Sequence, residues 1–280
     1  MLNPQLSTLC KIRNAAYPIC VLIKRFAFLA TLIISPAACK YFHSDKQETD
    51  NLSESFIVEG TLTGGQNKYL IFQEIKVNSF FTIDTILLDN NGSFRYQNKI
   101  LFPAFYALKN DLGDYIILMP DTSQIIEIQG NYALNNYTLK GSQDSEAIAE
   151  LHFNTRQFLD QVAAISAITR DSAESPDYPV LKMKLVNKYD SVYSDIRRFS
   201  IHFIEKNSTS PAIIFALYNK TGPDTYILDP VKDLEIFVRA DSILYYLYPD
   251  FSHVKSLHDR VNLIKTQLAT KAVKSRKQEL

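Results

Sequence analysis

Cys39 closes the stretch Lys24-Arg25-Phe26-Ala27-Phe28-Leu29-Ala30-Thr31-Leu32-Ile33-Ile34-Ser35-Pro36-Ala37-Ala38 and is the last cysteine of the 280-residue chain. A basic pair, a short apolar run and two small residues form an export signal with a cleavage point. Cleavage after Ala38 would make Cys39 the new N-terminal residue, with its thiol at the very start of the mature chain. Cys10 and Cys20 lie upstream of that cut, so residues 40–280 hold no thiol. This excludes a disulfide framework, a dithiol redox pair, a thiolate zinc site and a cysteine nucleophile from the body of the chain.

Other residues with chemical capability are scattered. His253 and His258 lie five apart, whereas metal ligands sharing one helical face are spaced by about three or four; the pair is expected to face solvent. His152 and His202 stand alone on separate segments as surface or interface residues, and Glu150 beside His152 does not complete a metalloprotease motif. No Gly-x-Ser-x-Gly turn presents a serine nucleophile, and Gly141-Ser142 suits a strand exit followed by a helix cap. Asp84 with Asp89, and Asp224 with Asp229, are carboxylate pairs of the kind glycoside hydrolysis uses, but each sits amid turn residues. No glycine-rich phosphate loop occurs among the 8 glycines. No catalytic, cofactor or metal site is expected. With 16 Tyr and 17 Phe, a ligand platform involving Tyr69, Phe72, Phe102, Phe105, Tyr106 and Tyr115 is the binding alternative, although strand alternation sends about half of such residues into a core.

Elements that would position these groups follow from patterning. The apolar run Phe26–Ile34 is far shorter than the roughly 20 residues of a membrane-spanning helix, so residues 1–38 are assigned as a signal peptide. Cleavage without acylation and an uncleaved signal-anchor are the alternatives. Residues 39–53 are polar and charged and form a flexible tether. Residues 54–141 alternate short Ile/Val/Phe/Tyr runs with turn chemistry such as Thr63-Gly64-Gly65 and Asn90-Asn91-Gly92, which predicts an all-β domain. Within it, Thr82–Leu88 and Ser93–Gln97 are predicted to form a hairpin through Asn91-Gly92, and Ile126 and Ile128 share one face of a half-buried strand.

From residue 142 to 280 the period becomes helical. Ile148, Leu151, Thr155, Phe158 and Val162 mark one amphipathic helix, and Leu181, Leu185, Tyr189, Val192, Ile196, Phe199 and Phe203 mark a second. Ser175-Pro176, Ser210-Pro211 and Asp229-Pro230 are predicted helix starts, and a last helix passes through Val254, Leu257, Val261, Ile264 and Leu268. Lys271–Lys277 would be a frayed basic end. The fold class is therefore α+β: an N-terminal antiparallel β-sandwich or partly open barrel, then a C-terminal helical bundle. Thirty Lys+Arg balance thirty Asp+Glu, and without clustered basic surface there is no case for nucleic acid.

Two resemblances extend this. Ala37-Ala38-Cys39 resembles the lipobox of bacterial lipoproteins, with Pro36 where that pattern usually has Leu, and implies acylation of Cys39. The chain also resembles the N-terminal region of Bacteroidetes envelope lipoproteins of the thioredoxin-like thiol-disulfide oxidoreductase family, in which an uncharacterised all-β domain and a helical segment precede the redox module. Phe56-Ile57-Val58-Glu59-Gly60, Asp84, Gly92-Ser93-Phe94, Tyr106, Gly141-Ser142 and Leu247-Tyr248-Pro249-Asp250 carry it. It implies a membrane-anchored location in the bacterial cell envelope, periplasmic or surface-exposed. The family's Trp-Cys-x-x-Cys motif has no counterpart among these residues, so its redox activity does not transfer. The expected role is a non-enzymatic binding or interaction module for a protein, peptide or glycan. The alternative is an accessory or truncated part of an oxidoreductase, served by a separate thioredoxin-like partner.

Overall fold

A computed structural model describes residues 54–100, 103–222 and 225–278; the assigned signal peptide, Cys39 and the 39–53 tether lie outside the described residues. Eight strands come first: β1 (Ser55–Thr63), β2 (Tyr69–Ile75), β3 (Phe80–Leu87), β4 (Ser93–Lys99), β5 (Phe105–Lys109), β6 (Tyr115–Leu118), β7 (Ile125–Asn131) and β8 (Tyr137–Lys140). They make two four-stranded sheets, β4-β1-β7-β8 and β3-β2-β5-β6, which face each other as a sandwich and do not close into a barrel. Pairing is antiparallel except between β1 and β7, which run parallel with Ile57 opposite Ile125 and Thr63 opposite Asn131.

Alternation sets the sandwich core. In β7, Ile126 and Ile128 are fully buried while Glu127 and Gln129 are exposed, as their spacing predicts. They meet Phe56, Leu62, Leu70, Phe72 and Leu108 between the sheets, where the Phe72 and Tyr106 rings stack with centroids 5.1 Å apart. In β1, a Cβ on Gly60 would stand 1.9 Å from the Ile128 carbonyl oxygen of the adjacent β7. Only glycine allows β1 and β7 to approach so closely.

The predicted hairpin through Asn91-Gly92 does not form. β3 pairs with β2 and β4 pairs with β1, so the two strands belong to different sheets. The turn chemistry is as expected, with Asp89 accepting from the Asn91 and Ser93 amides at 2.7 and 2.8 Å and Gly92 at φ +79°. The chain nevertheless uses this tight turn to pass between layers, because Ile86, Leu88 and Phe94 are all drawn into the inter-sheet core.

Helices α1 (Gln143–Asp171), α2 (Tyr178–Lys206), α3 (Ile213–Leu217), α4 (Leu234–Leu247) and α5 (Ser252–Gln278) follow, with a small ribbon of β9 (Lys220–Gly222) and β10 (Thr225–Tyr226) between α3 and α4. They cover the outer face of the β3-β2-β5-β6 sheet, giving three layers: sheet, sheet, helices. β5 is the shared wall. Phe105 joins the helical core with Phe237, Leu244 and Leu257, whereas Tyr106 and Leu108 join the sandwich core. Each large apolar side chain buried in this way contributes about 1.5–3 kcal/mol.

The proline signals mark turns rather than first helical residues. Ser210 Oγ accepts from the Ala212 amide and Asp229 Oδ1 from the Val231 and Lys232 amides, but α3 and α4 begin only at Ile213 and Leu234. Pro176 likewise precedes α2, which starts at Tyr178 with Asp177 as its N-cap. The basic end is also different from expectation, since α5 stays helical to Gln278.

Candidate functional site

The helices do not cover the sheet evenly, and the gap is fixed by how α1 is anchored. Gly141, at φ +97°, turns the chain out of β8, and Ser142 caps α1 through the Ser145 amide at 3.3 Å. The same two serines grip the end of β6: Ser142 Oγ donates to the Met119 carbonyl and the Met119 amide donates to Ser145 Oγ, each at 2.9 Å. All four groups are buried and satisfied, so α1 leaves the sheet at a fixed angle. Tyr115 at the start of β6 and His152 two turns along α1 then face a space that α3 and α5 leave open.

That space is a cleft in two parts. The larger, about 490 Å³, lies between the β2–β3 turn, β6, α1, α3 and the start of α5; the smaller, about 260 Å³, runs along α1 toward the β7–β8 turn. Tyr115 and His152 line both. Phe215 of α3, Tyr218 just after that helix and Phe80 of β3 supply aromatic wall to the larger part, and Tyr137 and Phe153 to the smaller. The dimensions fall in the range of small-ligand pockets, about 300–1,000 Å³. Phe80 is 55% exposed, so apolar surface stands open at the rim.

The imidazole of His152 is held edge-to-face between Tyr115, 6.4 Å away, and Phe215, 6.3 Å away. Burial, reinforced by the nearby Arg156 charge, lowers its pKa from 6.5 to about 4. The ring is thus neutral at pH 7 and belongs to the aromatic wall. His253 packs edge-on against Phe105 at 5.0 Å, and burial, the largest influence, lowers its pKa as well. Burial pushes the Tyr218 phenol up to about 12, so it remains a hydroxyl donor. Lys76 and Lys220 are the charged residues of the larger part, with no carboxylate on its lining; Lys76 also pairs with Glu74 at the rim. The smaller part holds Arg156 and Glu150.

His253 and His258 are not a solvent-facing pair. His253 is turned into the cleft, while His258 stacks on Tyr245 at 3.9 Å and its Nδ1 lies 3.0 Å from the buried Asp241 carboxylate. The Nε2 of His258 is taken by Asn262 at 2.9 Å, which makes this an α4–α5 clamp with both ring nitrogens engaged. His152 is half-buried where α1 meets β6 and α3, an interface position, and His202 is exposed, so both fall within the expectation of surface or interface residues. Asp84 bonds the Thr85 amide and Asp89 two turn amides, so these carboxylates do not converge; Asp229 caps its turn, and Asp224 lies outside the described residues. Of the proposed aromatic platform, Phe72, Phe105 and Tyr106 are core, Phe102 lies outside the described residues, and Tyr115 alone reaches the cleft.

Sequence reasoning missed Phe80, Phe215 and Tyr218. The doublet Phe80-Phe81 was a usable signal, because alternation forces adjacent aromatics of one strand onto opposite faces and an edge strand cannot bury both. α3 gave none, being short and apolar throughout. Among the described residues no group of three or more His, Cys, Asp or Glu is placed to hold a metal ion, and no helix is long and apolar enough to cross a membrane. No curated protein matches the chain. Residues 56–148, from β1 into the first turns of α1, match the sequence family described as a domain of unknown function (DUF4369).

Proposed function

We propose that this chain is a cell-envelope lipoprotein, anchored to a membrane through acylated Cys39, whose folded body acts as a non-enzymatic binding module with the cleft as its ligand site. The observation that carries it is the aromatic-walled cleft gathered around Tyr115 and His152, in which the two histidines are driven to the neutral form by burial. Such a site offers shape, apolar surface and a few hydrogen-bonding groups, which are the attributes of binding. The leader and polar tether support the anchor. Metabolic labelling of the full chain with a palmitate analogue in a bacterial host tests it: label on the wild type and none on Cys39→Ser is expected, and equal labelling of both would overturn the anchor. Turnover of a disulfide substrate by the purified chain would overturn the non-enzymatic assignment.

A second reading is favoured by the DUF4369 match over residues 56–148 together with the resemblance to thioredoxin-like envelope lipoproteins. In it the chain is an accessory half of a thiol-disulfide oxidoreductase. Because residues 40–280 carry no cysteine, the dithiol would come from a separate thioredoxin-like protein. Co-purification with a Cys-x-x-Cys protein from native envelope is expected on this reading and not on the first.

A further inference from the structure

We propose that the first three turns of α2 form a docking strip for an anionic lipid surface, laying the folded body against the membrane to which Cys39 would tether it; this rests on the chain residing at a membrane. Between Pro179 and Tyr189 the sequence carries Lys182, Lys184 and Lys188 and no Asp or Glu. Leu181, Leu185 and Tyr189 recur every fourth residue and are half-buried, so they mark the side on which α2 packs. Val180, Met183 and Val186 are 57%, 63% and 49% exposed. At about 100° per residue, these three fall on the outward side, with Lys182 at one flank of the strip and Lys184 and Lys188 at the other. Among the described residues none of the three lysines has an ion-pair or hydrogen-bond partner.

An apolar ridge with free ammonium groups on both flanks suits a helix lying in a membrane interface. The apolar side chains enter the headgroup boundary, and the lysine stems spread along it while their ammonium groups meet lipid phosphate. A protein groove would have to supply carboxylates along both flanks at fixed spacing, whereas a fluid lipid surface presents phosphates at any spacing. The nearest carboxylates, Asp171, Glu174 and Asp177 before the strip and Asp190 after it, are exposed and bracket a centre that is purely basic. Chain length permits the contact. β1 begins beside the start of α1, since Ile57 pairs with Ile125 and Gly141 lies against the Ile125 carbonyl. From there the 29 residues of α1 carry the chain about 43 Å to the α1–α2 turn. The segment 39–53 spans up to about 50 Å when extended, so the anchor and the strip can meet one membrane.

The chain contains no tryptophan, so Met183→Trp installs a single fluorescent reporter in the strip and Leu112→Trp a control in the exposed β5–β6 turn. Full-length protein from a bacterial host is reconstituted with vesicles of phosphatidylglycerol or of phosphatidylcholine, each with brominated acyl chains. Bromine quenches only tryptophan that reaches the acyl boundary, so attachment through the leader or an acyl chain alone leaves both reporters bright. The expected result is quenching of the Met183→Trp reporter on phosphatidylglycerol and not on phosphatidylcholine, with the Leu112→Trp reporter bright on both. Adding K182Q/K184Q/K188Q, all at exposed positions, should lower the ratio of docked to free strip about a hundredfold and abolish the quenching. If the protein sediments with the vesicles but the Met183→Trp reporter is no more quenched than the control, the strip is overturned and the membrane reading stands; an acidic protein surface would then be the occupant to seek. Quenching that is equal on the two lipids, or unchanged by the lysine substitutions, overturns the choice of anionic lipid. Failure to sediment with either vesicle overturns the strip and the membrane reading together.

Discussion

His152→Phe should make the protein less sensitive to acid. The wild-type ring takes up its proton only at about pH 4 in the folded chain, whereas in the unfolded chain it does so near 6.5. Between those values the unfolded state binds more protons, so the free energy of unfolding falls as pH falls from 6.5 to about 4 and levels off below. At about 1.4 kcal/mol per pH unit this amounts to roughly 3 kcal/mol lost by the wild type. Phenylalanine keeps the ring between Tyr115 and Phe215 and removes the titration. Guanidinium unfolding of both chains at pH 7, 5.5 and 4.2 measures the effect; His253 shifts in the same direction but is present in both chains and cancels. The difference in stability should move in favour of His152→Phe by about 3 kcal/mol across that range. A difference that stays constant to within about 0.5 kcal/mol, or an NMR titration of His152 with its midpoint near 6.5, would refute the placement of this ring.

Three other perturbations probe the scaffold. Arg197 donates to both carboxylate oxygens of Asp233 and to the Ile227 carbonyl; Asp233→Asn should cost about 2–3 kcal/mol by chemical denaturation. The Arg197 guanidinium holds the Asp233 carboxyl below its usual range, so this stabilisation is present above about pH 4 and disappears as pH falls through the lowered folded-state value, which the variant's acid unfolding curve should lack. Phe105→Ala removes a fully buried ring packed on Phe215 and Phe251 and should cost about 3–5 kcal/mol, against less than about 0.5 for the exposed Leu112→Ala, both read from thermal melts. Gly141→Ala places a Cβ 1.9 Å from the Ile125 carbonyl oxygen at φ +97°; a loss of about 2 kcal/mol or more in denaturant midpoint is expected.

Legibility differed with the range over which each signal acts. The Ile126/Ile128 alternation and the Ile148–Leu151–Phe158 stripe are local periodicities, and both predicted burial correctly. Asn91-Gly92 correctly marked a tight turn, but a turn does not say which neighbours its strands will choose. β1 competes for β4 and β2 for β3, and inter-sheet packing of Ile86, Leu88 and Phe94 decides the outcome. The fates of His253 and His258 were hidden because helical spacing relates residues on one helix only. Their partners, Phe105 on β5 and Asp241 on α4, come from elsewhere in the chain. The cleft was illegible for the same reason, being assembled from β2, β3, β6, α1, α3 and α5.

The parallel pairing of β1 with β7 has a bearing on how the chain matures. β1 leaves the ribosome first, yet it occupies an inner position of its sheet, and the neighbour that completes it is made only after β2–β6 have appeared. Its other neighbour, β4, is on the far side of a hairpin assigned to the opposite sheet. The β3-β2-β5-β6 sheet has all its strands by Leu118, but the β4-β1-β7-β8 sheet waits for β7 and β8, and pairing over such separations is slow compared with hairpin zipping. A nascent chain that has not yet released Asn131 lacks the strand that completes β1, so the sandwich cannot close until most of the β region has been made.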